Sequence, residues 1–179
     1  MRRTKPNQDH TSLAGPVDIV QITPIGVVRS PYTERFGTPR QPPVTEQVLG
    51  DAALPAQIVL REDLAVAAAD LAGFDRIWVV AWLHLNTGWS PTVLPPRGPR
   101  VRRGVLSTRA PHRPNPIGLS ALRLTAVEGH VLHVLGIDLL DGTPILDVKP
   151  YVPYTDAFPE SAVGWLTGLV PTEADRFER

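Results

Sequence analysis

The chain has 179 residues, enough for one domain with a single core, and carries 18 Lys+Arg against 18 Asp+Glu with no cysteine. Zero net charge offers no global basicity for nucleic-acid binding, and the missing cysteines exclude disulfides, thiolate metal centres and cysteine nucleophiles. The longest strongly apolar run, Ile77 to Leu83, is too short for a bilayer, and no apolar stretch follows Arg2, Arg3 and Lys5; neither anchor nor signal peptide is expected, and the expected location is cytoplasmic.

Residues 1–18 read as a polar, disordered leader, 19–158 as a β-barrel domain and 159–179 as a C-terminal tail with a short helix. Val17 to Ser30 is β-branched and cut by Pro24, which predicts an edge or bent strand. A polar loop, Glu34 to Val44, follows. Ala56 to Arg61 reads as a strand. Asp63 to Leu71 reads as a helix, with Asp63 as its N-cap and Gly73 just beyond its end. Arg76 to Leu85 is apolar on both faces and predicts a central strand. Further strands are expected at Val101–Thr108, Ile117–Val127, Val131–Leu140 and Pro144–Val148, the last three joined by Glu128-Gly129-His130 and by a hairpin turn at Asp141-Gly142-Thr143. Ala162 to Val170 reads as a terminal helix. Short strands, tight turns and one or two short helices describe a mainly β protein, a small barrel or meander.

Between Arg76 and Val127 there is no acidic residue, while Arg97, Arg100, Arg102, Arg103, Arg109, Arg113 and Arg123 all fall there. Such a basic stretch in a neutral chain is a footprint for a phosphate, a carboxylate or RNA. At its centre, Thr108-Arg109-Ala110-Pro111-His112-Arg113-Pro114-Asn115-Pro116 sets two arginines on a backbone stiffened by three prolines. A loop ordered in advance loses little entropy on binding, and charge-assisted arginine contacts contribute about 1.5–3 kcal/mol each. Glycine-rich nucleotide loops and a G-x-S-x-G elbow are absent, and the histidines show no metal-binding spacing, so no metal is expected. The residues alone define a β-rich domain with an arginine-lined pocket for an anion-bearing ligand.

Five ordered segments go further: Ile25-Gly26-Val27-Val28-Arg29-Ser30-Pro31-Tyr32, Pro39-Arg40-Gln41-Pro42, Gly88-Trp89-Ser90-Pro91-Thr92-Val93-Leu94-Pro95-Pro96-Arg97, Thr108-Arg109 through Gly118, and Asp138-Leu139-Leu140-Asp141-Gly142-Thr143-Pro144 through Tyr151. Together they resemble the TrmO (TsaA-like) family from about Ile22 to Phe158. The resemblance implies a β-barrel, usually homodimeric, that binds S-adenosylmethionine without a Rossmann fold and methylates N6 of threonylcarbamoyladenosine in tRNA.

Carried over residue by residue, the resemblance places cofactor contacts on Pro39, Arg40, Gln41, His84, Leu85, Arg109, Leu119, Asp138, Leu139, Leu140 and Asp141. Arg97, Arg100, Arg102, Arg103 and Arg113 are then expected to hold the tRNA substrate, with no membrane or DNA partner. Three departures stand out: Pro43 where the family commonly has glycine, Leu85 where glutamine is usual, and only a short stretch past Phe158 where longer bacterial members carry a C-terminal domain associated with tRNA. A barrel methyltransferase of small molecules and a non-catalytic S-adenosylmethionine or RNA-binding module remain the alternatives.

Overall fold

Strand alternation builds a core by placing every second side chain on one face. The computed structural model describes residues 19–39, 53–96 and 98–169. Its strands are β1 (Gly26–Arg29), β2 (Pro55–Leu60), β3 (Arg76–Trp82), β4 (Thr92–Val93), β5 (Arg103–Gly104), β6 (Ile117–Glu128), β7 (Val131–Leu135) and β8 (Pro144–Pro150). Six of them close an antiparallel barrel in the order β1-β2-β7-β6-β3-β8, with β8 paired to both β3 and β1, while β4 and β5 form a separate ribbon. The inward side chains Val28, Ile58, Ile77, Val79, Leu122, Leu132, Val134 and Ile145 are fully buried. Burying each contributes about 1.5–3 kcal/mol relative to exposure. At Gly26 the wall is tightest, since an added Cβ would stand 2.5 Å from the Val59 carbonyl oxygen.

The mainly β barrel agrees with the sequence expectation, but several elements differ. Only Gly26–Arg29 of the Val17–Ser30 stretch pair as a strand, after Pro24, and residues 17–18 lie outside the described residues. The Asp63–Leu71 helix is broken into a 3-10 turn (Glu62–Leu64), the single α-turn α1 (Ala65–Ala68) and another 3-10 turn (Ala69–Leu71). Asp63 makes no cap: its carboxylate accepts from the Arg61 guanidinium at 3.1 Å. Val101–Thr108 shrinks to β5 and a 3-10 turn at Val105–Ser107, and β7 stops at Leu135, where Gly136 turns the chain with a φ of 80°. Asp141-Gly142-Thr143 is a turn, but not a hairpin between β7 and β8. Those strands are not neighbours, because β7 lies between β2 and β6. The terminal helix reduces to a 3-10 turn at Gly164–Leu166, with Gly164 and Gly168 at positive φ breaking the helical course. A short helix, α2 (Pro153–Asp156), follows β8 instead. The proposed leader falls outside the described residues. Among those described, no helix is long and apolar enough to cross a membrane.

Candidate functional site: three loops on one barrel rim

Because all neighbouring strands are antiparallel, β1, β3 and β7 run toward the same rim of the barrel. The described parts of the segments that leave them, 30–39, 83–96, 98–116 and 136–143, therefore start from that rim, and Pro39, His84, Leu85, Arg109 and Asp138 to Asp141 lie on them. Leu119 sits on β6 near the same rim. Its side chain is exposed on the outer wall, whereas its neighbour Ser120 points inward and is buried.

Ser120 leads to the chemistry of the site. Its Oγ donates to Asp138 Oδ1 at 2.7 Å, joining β6 to the loop after β7. Burial pushes the Asp138 carboxyl up to about 7, against pulls downward from the Ser120 hydrogen bond, a backbone hydrogen bond and the Arg109 charge. The residue keeps part of its surface open even so. Arg109 is exposed and makes no hydrogen bond or ion pair among them. A free guanidinium thus stands in the field of a carboxyl poised near neutrality.

The backbone around Asp138 is fixed by stitches to the loop after β1. Asp141 Oδ1 accepts the Ser30 N–H at 3.1 Å, the Asp141 N–H donates to the Tyr32 carbonyl at 2.7 Å, and Ser30 Oγ donates to the Leu139 carbonyl at 2.9 Å. Arg29 adds a looser ion pair with Asp141 at 3.6 Å. Thr143 closes the turn by donating from Oγ1 to the Leu140 carbonyl at 2.7 Å. Within this rim Asp141 acts as a clamp between two loops, and Leu139 is buried beneath them. Pro39 is buried at the end of a turn that Thr38 ties back to the Glu34 carbonyl at 2.7 Å. Arg40 and Gln41 lie outside the described residues.

The middle loop starts with a tight turn after β3, in which the His84 N–H donates to the Trp82 carbonyl and Asn86 donates from both backbone and side chain to the Leu83 carbonyl. His84 and Leu85 are exposed there. The arginines of this loop differ in what they are free to do. Arg102 is committed to Thr92, donating to its Oγ1 at 2.9 Å and its carbonyl at 2.7 Å. Arg103 lies over the Trp165 ring, 5.5 Å from the centroid, and Arg113 makes a long contact to the Thr108 carbonyl at 3.4 Å. Arg100 is exposed and unengaged among the described residues, and Arg97 is outside them. No group of side chains among the described residues could hold a metal ion. Sequence reasoning missed Ser120 and Trp165. Ser120 was signalled by its phase: it is the polar residue on the inward face that Leu122 and Leu124 continue.

A closed six-stranded antiparallel barrel with an arginine, a shielded carboxyl and a proline-stiffened loop on one rim is a small β-barrel domain and not a Rossmann fold. The chain belongs to the family of the tRNA-methyltransferase O N-terminal domain, whose family model matches residues 27–157. It is 40% identical over 152 residues to the tRNA (adenine(37)-N6)-methyltransferase of Escherichia coli (strain K12), an alignment that takes in 81% of this chain and 63% of that protein. It is 41% identical over 132 residues to a probable S-adenosyl-L-methionine-binding protein of Methanothermobacter thermautotrophicus, covering 74% of this chain and 90% of the relative. The crystal structure of TrmO from Pseudomonas aeruginosa superposes with a TM-score of 0.67 at 38% identity, covering 82% of this chain and 62% of that one. The chain thus spans less than two thirds of the E. coli protein and of the Pseudomonas structure.

Proposed function

We propose that the chain is an S-adenosylmethionine-dependent methyltransferase that modifies N6 of threonylcarbamoyladenosine in tRNA. The observation that carries this reading is the convergence of three loops on one rim, which supports reading Pro39, His84, Arg109 and the 138–141 turn as parts of one cofactor site. The names of the bacterial relative and of the archaeal one support activity and cofactor respectively.

The side chains present fit such a cofactor. Arg109, which makes no hydrogen bond or ion pair among the described residues, suits its carboxylate, and the partly open Asp138 carboxyl suits a ribose hydroxyl. Pro39, Arg40, Gln41, His84, Leu85, Leu119 and the 139–141 backbone complete the proposed cradle. The cofactor supplies an activated methyl group on a sulfonium. The chain's task is then to hold the acceptor nitrogen in line and keep water out, which the stitched loops suit by being ordered in advance. Of the arginines expected to hold tRNA, Arg100 is exposed and makes no hydrogen bond or ion pair among the described residues, which suits a phosphate; Arg102, Arg103 and Arg113 contribute by shaping the loop.

We extend the proposal to a homodimer. The outer wall of β3 and β6 near the rim is apolar and open, with Trp82 46%, Ile117 41% and Leu119 53% exposed, and Trp82 opposite Ile117 in register. A second copy of the chain would cover this face, and light scattering that finds a monomer at tens of micromolar sinks that part of the proposal.

Nucleoside mass spectrometry of tRNA from a deletion strain tests the function. Loss of the N6-methylated nucleoside, restored by the parent chain and not by Arg109→Ala, is expected. Unchanged tRNA together with calorimetric binding of S-adenosylmethionine would move the acceptor to a small molecule, and absence of cofactor binding would remove the methyltransferase reading.

A further inference from the structure

The chain leaves β8 at the rim opposite the three loops. There Tyr151 donates its N–H to the Arg76 carbonyl, and Asp156 at the end of α2 accepts the Trp78 indole N–H at 3.0 Å. Residues 157–163 then carry it back to the middle loop of the candidate site. Between Gly164 and Leu169 it meets the arm formed by β4, β5 and their flanks in three places. Trp165 Nε1 donates to the Ser107 carbonyl at 2.9 Å, the Arg103 guanidinium lies over the Trp165 ring at 5.5 Å, and Leu169 packs so close to Gly98 that an added Cβ there would sit 2.9 Å from its Cδ1.

The arm needs such a buttress. Its ribbon pairs only Thr92 with Gly104 and Val93 with Arg103, and of its side chains Val105 alone is fully buried. A two-stranded ribbon with so little apolar burial has little stability of its own. Internal ties stiffen it: Arg102 grips Thr92, Ser107 Oγ donates to the Gly104 carbonyl, and Thr108 Oγ1 donates to the Val105 carbonyl while accepting the Ala110 N–H. These make the arm one piece without fixing that piece to its surroundings. The Val105 N–H bond to the Pro91 carbonyl lies within the arm as well. Among the described residues Trp165 and Leu169 reach the arm from a distant part of the chain, and Trp165 grips it at Ser107, two residues before Arg109.

We infer that segment 164–169 is a strap that fixes the arginine arm and, through Ser107 and Thr108, the Arg109 loop, with Trp165 as its positioning residue. The inference rests on the proposed function only for what the held loop binds. Trp165 touches neither cofactor nor substrate; it acts through where it holds Arg103 and Ser107. The ring offers two separable holds, a cation–π face and an indole N–H, so substitutions can remove one or both.

Hydrogen exchange on the full chain reads the strap without reference to activity. In Trp165→Ala, peptides spanning 98–113 should exchange about tenfold faster, the loss expected of one exposed cation–π contact and one hydrogen bond, while β3, β6 and β7 keep the parent's rates. Trp165→Phe keeps a face for Arg103 and loses the donor to Ser107, so it should fall between. The dissociation constant for S-adenosylmethionine should rise about three- to tenfold in Trp165→Ala and be partly restored in Trp165→Phe. Unchanged exchange across 98–113 overturns the strap, as does a rise spread equally over the whole barrel. Faster exchange with an unchanged dissociation constant overturns the positioning role. A parent chain that binds no S-adenosylmethionine removes the proposed function instead, and exchange in 109–113 still decides whether the strap holds the Arg109 loop.

Discussion

Replacing Asp138 by asparagine should reverse sign with pH. The carboxyl titrates near 7 in the fold against an ordinary 3.8, because burial penalises the charge more than Ser120 and Arg109 relieve it. A raised folded-state value means that the group favours the fold when protonated: its stabilisation is complete below about 3.8 and is lost as pH climbs through about 7. At about 1.4 kcal/mol per unit the span amounts to about 4 kcal/mol. Water reaches part of the residue, so about 2 kcal/mol is the swing expected in practice. Asparagine keeps the shape and still accepts from Ser120 Oγ, but cannot ionise. Urea denaturation of both proteins at pH 5 and pH 8.5 isolates the effect, because other titrating groups cancel in the difference. Because pH 5 already lies above 3.8, this window takes in only the part of the swing between pH 5 and about 7, and Asp138→Asn should gain about 1 kcal/mol relative to the parent across it. A difference that stays constant across that range, or that falls, would refute the claim that a shielded carboxyl titrates at this site.

Arg109→Ala should raise the dissociation constant for S-adenosylmethionine about 10- to 100-fold, the loss of one charge-assisted contact, as read by calorimetry; an unchanged constant removes Arg109 from the cradle. Asp141→Ala takes the acceptor from the Ser30 N–H and should cost about 1–2 kcal/mol in chemical denaturation, with faster exchange in 30–39. If those peptides exchange at the parent's rate, the two loops are not held by that clamp. Gly26→Ala drives a methyl against the Val59 carbonyl, which belongs to a paired strand and cannot swing aside, so a loss of about 1–3 kcal/mol should appear in the denaturation midpoint; no shift would mean that the wall relaxes there.

The barrel strands were legible because their inward and outward residues alternate, as in β2 with Ala56, Ile58 and Leu60 facing the core. Order was not. Asp141-Gly142 between two apolar runs has the local chemistry of a hairpin, yet the partners of β8 are β1 and β3, and nothing in a turn reports pairings made that far along the chain. The Asp63–Leu71 helix failed for a related reason. Its alanines have helical propensity, but the segment bridges β2 and β3 and fully buries only Ala68, with Leu64 and Leu71 half-buried at its two ends, so little packing extends its middle beyond one turn. At the site, Arg109 was legible from its charge and the prolines around it, whereas Asp138 came from motif resemblance alone. The commitment of Arg102 to Thr92 and of Arg103 to Trp165 is invisible in composition, where an arginine with a partner and one without look the same.

The place of β8 has a consequence for how the protein reaches its native state. It is the final strand of the barrel to be synthesised, and it inserts between β1 and β3, which begin at Gly26 and Arg76. Until Pro144–Pro150 emerges, both of those strands are open edges with unpaired backbone groups, and the cylinder cannot shut. Closure must bring together residues more than a hundred positions apart, as when Gly26 meets Ile145, so it belongs to the slow class of non-local assemblies rather than to the fast local ones. A nascent chain that stalls before β8 would present two strand edges to any neighbour, which makes this one segment the guard against aggregation as well as the last piece of the wall.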